Sequence, residues 1–342
     1  MFQEFNNVSI DFISSAVPNQ IVENSFFSSL LSEKEIRVFE KTVGIKERRW
    51  ADKDITASDL GFVAAEEILK QTDKSKIRSL IFLSQTSDFK IPFTSNILQN
   101  RLGLHNEILC FDINAGCAGF IQGLSTAFSI ASTLKEGEKV LLIIGETLSK
   151  ILSPTDKSTN MLFGDAASAI LVSKNNRADK AYFNFFSDGL NHEAIIIPEG
   201  GYRKSITKTS FESQNESDLY LNMNGAKVFD FTLREVAPSI KKIEGDSSVN
   251  LSEIDGFFFH QSNKFIIKQI SSILGIDSNK VPVNIERFGN TSGVTIPLLI
   301  TTNLDSIENK NKILCSGYGS GLSWGNCIIN LSETKLLPLK EI

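Results

Sequence analysis

The stretch that decides the fold is residues 107–134, EILCFDINAGCAGFIQGLSTAFSIASTL. Its first seven residues, EILCFDI, form an apolar run of strand length ending near Asn114. Ala115-Gly116-Cys117-Ala118-Gly119-Phe120 then opens a helical pattern to about Leu134 that is rich in small residues: Ala118, Gly119, Gly123, Ala127 and Ala131. A strand apolar on both faces belongs to a sheet covered on both sides, and a helix this small and apolar suits a position between two sheets. Cys117 stands at the junction of strand and helix.

The same grammar continues on either side. Leu60 to Lys70 carries Leu60, Val63, Ala64 and Ile68 at helical spacing, SLIFL at 79–83 reads as a buried strand, and Thr94 to Arg101 as a helix. Strands KVLLIIG and ASAILVS follow. A second pass finds a helix from about Gly225 to Ile243, strand GFFFH ending at His260, and a helix from Asn263 to Leu274. Strand VPVNI, a turn at Gly289 to Gly293, a further helix, strand KILCSG and a last strand from Ser323 to Asn330 complete it. Corresponding elements recur at about 175 residues, too long for a solenoid repeat and right for a duplicated α/β unit. The expected fold is therefore α/β, in two pseudo-equivalent halves, 1–175 and 176–342, with mixed, mostly parallel sheets. Residues 200–218 lack periodicity and are rich in Ser, Thr and Lys, as expected of a surface excursion.

Composition excludes several classes. The 342 residues include 35 Lys and Arg against 40 Asp and Glu, a net charge of −5, which leaves no cationic surplus for nucleic acid. The opening MFQEFNNVSIDFISS has no basic leader, and the longest apolar runs reach only strand length, so a cytoplasmic protein away from the membrane is expected. Four Cys without CxxC pairing and three His (His105, His192, His260) suggest neither a zinc site nor a disulfide framework.

Open α/β sheets place reactive groups at the carboxyl ends of strands, and Cys117, His260 and Asn290 all fall at such ends. A thiol at the first turn of a buried helix meets unpaired N–H groups and the helix dipole, so its pKa is expected to be lowered. Taken alone, Cys117 reads more readily as a small core residue, His260 as a core histidine satisfied by a carbonyl, and Asn290 as a turn residue. The glycine-rich run Gly317-Tyr318-Gly319-Ser320-Gly321-Leu322-Ser323-Trp324-Gly325 leads into a strand where a phosphate loop would open a helix. It reads as a tight hairpin, or as a loop that approaches a reacting group with its N–H groups aimed at an oxyanion.

Together, DINAGCAGF, GDAASA at 164–169, HQSN at 260–263, GNTSG at 289–293 and GYGSGLSWG at 317–325 resemble beta-ketoacyl-acyl-carrier-protein synthase III of the thiolase-like superfamily, in the family's order over nearly the whole chain. The resemblance implies a layered α-β-α-β-α thiolase-like fold and a Cys-His-Asn site where the halves meet. It implies a homodimer, with acyl-CoA and an acyl-carrier protein as partners and no cofactor or metal. Cys117 would take an acyl group from acyl-CoA. The backbone N–H groups of Cys117 and of Ser320, which matches one of the family's loop glycines, would form the oxyanion hole. His260 and Asn290 would donate hydrogen bonds to the enolate oxygen formed when malonyl thioester loses carbon dioxide.

Departures bear on specificity. Where the family commonly has Trp and Arg to clasp the CoA nucleotide this chain has Val38 and Thr42; Lys157 and Phe265 replace other arginines. Lys264 and Lys268, at i and i+4, could supply a substitute docking patch for an acidic carrier, or be an ordinary solvated face. Ile91 falls where the family limits the acyl pocket across the dimer interface. The rival within the superfamily is an acyltransferase or specialised ketosynthase with a non-malonyl acceptor, in secondary metabolism or surface-polysaccharide modification. A hydroxymethylglutaryl-CoA synthase would need a Glu in SQTS, residues 84–87, which has none. A plant-type polyketide synthase would be longer; a papain-like hydrolase lacks its Cys neighbourhood here, and a silent partner subunit would not need all three polar residues.

Overall fold

The computed structural model describes residues 1–212 and 216–342. Two mixed sheets organise it. The first contains β2 (Val8–Val17), β3 (Ile77–Leu83), β4 (Leu109–Ile113), β5 (Lys139–Glu146) and β6 (Ala166–Lys174). The second contains β1 (Phe2–Phe5), β7 (Ala181–Ser187), β8 (Gly256–Phe259), β9 (Ile313–Gly319) and β10 (Ser323–Ile329). β11 (Lys335–Leu336) and β12 (Lys340–Glu341) return to pair with β2 in the first sheet.

The order β2-β6-β5-β3 in one sheet is repeated as β7-β10-β9-β8 in the other. Directions match as well: antiparallel, antiparallel, then parallel in each. Both sheets are thus mixed, as expected: pairing is mostly parallel in the first and mostly antiparallel in the second. In the second sheet the cause is local, because residues 320–322 are too short a link for anything but an antiparallel pair. The termini cross between the sheets: β1 adds to the second, pairing with β7, while β11 and β12 add to the first.

Pleating explains the layers, since successive side chains of a strand face opposite ways. In β3, Ile81 and Leu83 enter the central core, and Leu80 and Phe82 enter an outer one. In β8, Phe258 points to the central core, and Phe257 and Phe259 to the other outer one. Between the sheets lie α4 (Gly119–Ala131) and α8 (Thr295–Asn303), bringing Phe120, Leu124, Ile296 and Leu299 to that centre. Outside the first sheet pack α2 (Ala57–Leu69) and α3 (Thr94–Arg101), and outside the second α6 (Ala237–Ser247) and α7 (Lys264–Leu274). The expected five-layer α-β-α-β-α arrangement is present, with small-residue helices between the sheets.

Three further expectations change. VPVNI makes no ladder: Pro282 has no N–H to give, the Asn284 N–H donates to Gln261 Oε1 at 3.1 Å, and Ile285–Phe288 turns helical. The helix expected over 225–243 divides into α5 (Gly225–Phe231), a π-helical stretch over Thr232–Val236, and α6, which carries Pro in its first turn. A proline cannot donate to the preceding turn, and the wider π turn absorbs that loss. The excursion over 200–218 is exposed at Tyr202, Ile206 and Phe211 yet pinned at its base, where Lys204 bridges Glu199 and Asp218. Its residues 213–215 lie outside those described.

Candidate active site at the junction of the two sheets

Each of the three polar residues singled out in the sequence is delivered by a strand end or by the turn beside α8. After β4 the chain makes a turn in which the Gly119 N–H donates to the Gly116 carbonyl at 2.7 Å, so α4 starts at Gly119. Cys117 therefore precedes the helix by two residues instead of occupying its first turn. His260 follows β8 directly, its N–H donating to the Ser316 carbonyl at 2.9 Å. Asn290 is clamped by backbone: its N–H donates to Leu162 O at 2.9 Å and its carbonyl accepts from Gly164 N–H at 3.1 Å. All three line one cavity of about 170 Å³ together with Ser320.

Side-chain orientations follow from hydrogen-bond accounting. Asn290 Oδ1 accepts from the Ser292 N–H at 2.8 Å, which leaves its NH₂ for the cavity. His260 is buried, its Nδ1 lies 2.7 Å from Thr295 Oγ1, and Tyr318 meets the ring edge-on with centroids 5.2 Å apart. Nε2 is thus the ring nitrogen left for the cavity. Cys117 Sγ donates to Ser292 Oγ at 3.7 Å across 175 residues of sequence. Gly319 of β9 presses on the thiol: a Cβ there would stand 3.0 Å from Sγ, so only glycine lets the Gly319–Ser320 backbone come this close. Gln85 Nε2 donates to Ser320 Oγ at 3.3 Å, completing a polar ring around the sulfur.

Electrostatics correct one expectation. Burial pushes the Cys117 thiol up to about 12, the hydrogen bond with Ser292 opposing it. The helix terminus does not deliver a lowered pKa, because Cys117 stands outside the helix and the desolvation of a buried thiolate outweighs a partial dipole charge. Burial likewise drives His260 down to about 3, so its ring is neutral at physiological pH.

Sequence pattern alone gives no role to Ser292, Thr295, Gln85 or Glu146. Ser292 sat inside the quoted GNTSG motif, and its φ of 52° marks it as a residue held in an uncommon backbone conformation. Glu146, at the end of β5, is buried and accepts from Gln85 N–H at 3.2 Å and Thr86 Oγ1 at 2.9 Å, holding the 84–87 turn beside the cavity. Burial raises its carboxyl to about 8. Folded chain therefore keeps a proton there that unfolded chain releases near 4.5, so Glu146 favours folding below that value and loses this contribution as pH rises through about 8. In Glu146→Gln the fall in Tm between pH 6 and pH 8 should be smaller than in the wild type. An unchanged slope would show that Glu146 is not protonated in the fold.

The remaining predicted residues lie outside the cavity. Ile91 is 83% exposed and lines no part of it. Lys264 and Lys268 are exposed on α7. They flank Phe265, which stacks on the cavity-lining Phe229 with centroids 6.1 Å apart, so both lysines stand near the cavity mouth. Of the positions where the family clasps the nucleotide, Val38 is 54% exposed, Thr42 spends its hydroxyl on the Val38 carbonyl, and Lys157 pairs with Glu35 at 3.5 Å. His105 and His192 each bond a backbone carbonyl elsewhere. Among the described residues no cluster of three or more His, Cys, Asp or Glu could hold a metal, and no helix is long and apolar enough to cross a membrane.

Comparison with known proteins finds the same architecture and sequence pattern. The family described as 3-oxoacyl-[acyl-carrier-protein (ACP)] synthase III matches residues 111–189, and its C-terminal counterpart matches residues 245–331. Beta-ketoacyl-[acyl-carrier-protein] synthase III of Streptococcus mutans is 32% identical over 92% of this chain and 96% of its own length. Its namesake from Streptococcus pneumoniae is 30% identical over 93% and 98%. The crystal structure of a 3-oxoacyl-(acyl-carrier protein) synthase from Burkholderia xenovorans superposes with a TM-score of 0.93 at 33% identity, covering 100% of this chain and 99% of that one.

Proposed function

Because the chain belongs to the 3-oxoacyl-[acyl-carrier-protein] synthase III family, whose fold is thiolase-like, we propose that it condenses an acyl-CoA primer with malonyl-acyl-carrier protein through an acyl-Cys117 intermediate. The observation that carries this reading is the convergence of Cys117, His260 and Asn290 on one cavity, with the Asn290 NH₂ turned inward by Ser292. Cys117 attacks the primer thioester and CoA leaves as its thiol. The Cys117 and Ser320 N–H groups receive the oxyanion. Malonyl thioester then loses carbon dioxide, its enolate oxygen held by His260 and Asn290, and C2 attacks the acyl-enzyme carbonyl and expels Cys117. Incubation with acyl-CoA and malonyl-carrier should yield a beta-ketoacyl-carrier by mass spectrometry. No such product with primers of any length would end this reading.

His260→Ala and Asn290→Ala separate the half-reactions. Each should slow decarboxylation of malonyl thioester on the order of 10²–10³-fold, the cost of one donor at a developing oxyanion, and leave acylation of Cys117 within about tenfold. Condensation at the wild-type rate in His260→Ala would overturn the enolate assignment.

Assembly and docking belong to the same proposal. Leu109 on the edge strand β4 is 54% exposed, and Phe89, Ile91 and Phe93 are exposed at the entry to neighbouring α3, an apolar flank suited to a second copy of the chain. In a homodimer Ile91 reaches the partner's acyl pocket. Lys264 and Lys268 receive the acidic carrier, which the net charge of −5 would otherwise repel. We place the protein in the cytoplasm and take 1–175 and 176–342 as its two halves, with the terminal strands exchanged. The second reading, a specialised ketosynthase or acyltransferase with a non-malonyl acceptor, is favoured by the Phe229–Phe265 stack and by Val38, which leave the mouth without the family's nucleotide clasp.

A further inference from the structure

The enolate role asks His260 to donate from Nε2, yet the hydrogen bonds around the other ring nitrogen do not by themselves provide that tautomer. Thr295 Oγ1 lies 2.7 Å from His260 Nδ1 and 2.9 Å from the Ser292 carbonyl, to which it can donate. The same carbonyl also accepts the Thr295 backbone N–H. Both His260 and Thr295 are buried.

A hydroxyl has one proton, so two arrangements are open. In the first, Thr295 O–H donates to the Ser292 carbonyl, the neutral ring donates Nδ1–H to Oγ1, and Nε2 presents a lone pair to the cavity. In the second, the hydroxyl turns and donates to Nδ1, and Nε2 carries the proton. Only the second can stabilise an enolate oxygen. A doubly protonated ring would donate in either case, but burial keeps His260 neutral.

We propose that Thr295 is the positioning residue that allows the neutral His260 ring to present Nε2–H, by turning its hydroxyl from the Ser292 carbonyl to Nδ1. The ring keeps one proton throughout: it is given up at Nδ1 and taken up at Nε2 by exchange with water, with no change of charge. This rests on the condensing role of His260 proposed above. Replacing the hydroxyl by a methyl removes the group that donates to Nδ1, and the Ser292 carbonyl to which that hydroxyl is bonded accepts and cannot donate in its place. Thr295→Val therefore locks Nδ1–H and turns Nε2 into an acceptor.

The test uses the full chain labelled with ¹⁵N-histidine, His260 being assigned by the signals lost in His260→Ala. Wild type should show a protonated Nε2, and Thr295→Val a protonated Nδ1 alone. Decarboxylation of malonyl thioester should fall on the order of 10²-fold in Thr295→Val, acylation of Cys117 should stay within about threefold, and Thr295→Ser should restore decarboxylation. Nδ1–H alone in the wild type would overturn the proposal, whether or not the Val variant folds. So would equal losses in both half-reactions, or Thr295→Val decarboxylating at the wild-type rate. A wild type that neither acylates nor decarboxylates would instead sink the condensing reading, and the wild-type ring signals would still decide the role of Thr295.

Discussion

Cys117→Ala is expected to gain no mass when incubated with acyl-CoA, where the wild-type chain gains one acyl group per site, and to lose condensation by about 10⁴-fold or more. The size of the effect follows from chemistry, since without the sulfur no acyl-enzyme forms and the reaction has no covalent route. Structural cost should be small. Cys117 is half-buried as a residue and its thiol's hydrogen bond is a long 3.7 Å contact to Ser292 Oγ, so Tm should move by no more than a few degrees. The variant also divides the two chemistries. His260 and Asn290 are held by Thr295 and by the Ser292 backbone N–H, whereas Cys117 touches Ser292 only at its hydroxyl, so decarboxylation of malonyl thioester should persist. An acyl adduct on Cys117→Ala at the wild-type level would move the nucleophile elsewhere. Simultaneous loss of decarboxylation would show that the thiol helps to hold the enolate.

The high thiol pKa changes how such a nucleophile must work. A thiol pushed up to about 12 is almost wholly protonated at neutral pH, so Cys117 is not a standing thiolate. Its proton is met by Ser292 Oγ, which in turn donates to Gln85 Oε1, and Gln85 Nε2 donates to Ser320 Oγ. Catalysis then depends on charge being stabilised as it forms, which is the task of a preorganised oxyanion hole. In the function proposed above, the close approach of the Gly319–Ser320 backbone to the sulfur would serve that end.

Cys117, His260 and Asn290 were legible because each lies in a short contiguous motif at the end of an apolar run, where chain order and spatial order coincide. The recurrence of apolar runs made two similar halves legible as well, but not the order of the strands within either sheet. What escaped is what folding brings together from afar. Ser292 reaches Cys117 across 175 positions, and Thr295 supports His260 from 35 positions away, on a helix whose pattern reads simply as buried. The missing ladder at VPVNI escaped because β-branched residues signal a strand, whereas Asn284 and Gln261 provide its backbone with another partner. Ile91 was placed by resemblance alone, and its surroundings in a dimer would belong to another copy. The expected thiol shift failed because the helix begins two residues after Cys117 and the fold buries the thiol, neither of which the sequence pattern reveals.

GDAASA had no chemical role of its own, and the structure assigns one to its first residue. A Cβ on Gly164 would lie 2.2 Å from the Phe288 carbonyl oxygen, far inside contact distance and against backbone, which cannot rotate away. The segment carrying Gly164 has little freedom to retreat. Arg48 Nη2 donates to the Met161 carbonyl at 2.7 Å and Trp50 Nε1 donates to the Phe163 carbonyl at 3.0 Å. The yielding side must then be Phe288–Asn290, the stretch whose backbone bonds to Leu162 and Gly164 set the position of the Asn290 amide. Gly164→Ala gains roughly 0.4–1 kcal/mol from a stiffer unfolded chain. The clash costs about 3 kcal/mol or more, so the net sign is destabilising. Below its lowered Tm the variant should decarboxylate malonyl thioester on the order of 10²-fold more slowly and acylate Cys117 nearly normally, because the displaced group is Asn290 and Cys117 is carried by a separate turn after β4. Calorimetry and the two half-reaction assays together decide it: wild-type Tm with wild-type decarboxylation would mean that Phe288 gives way without moving Asn290.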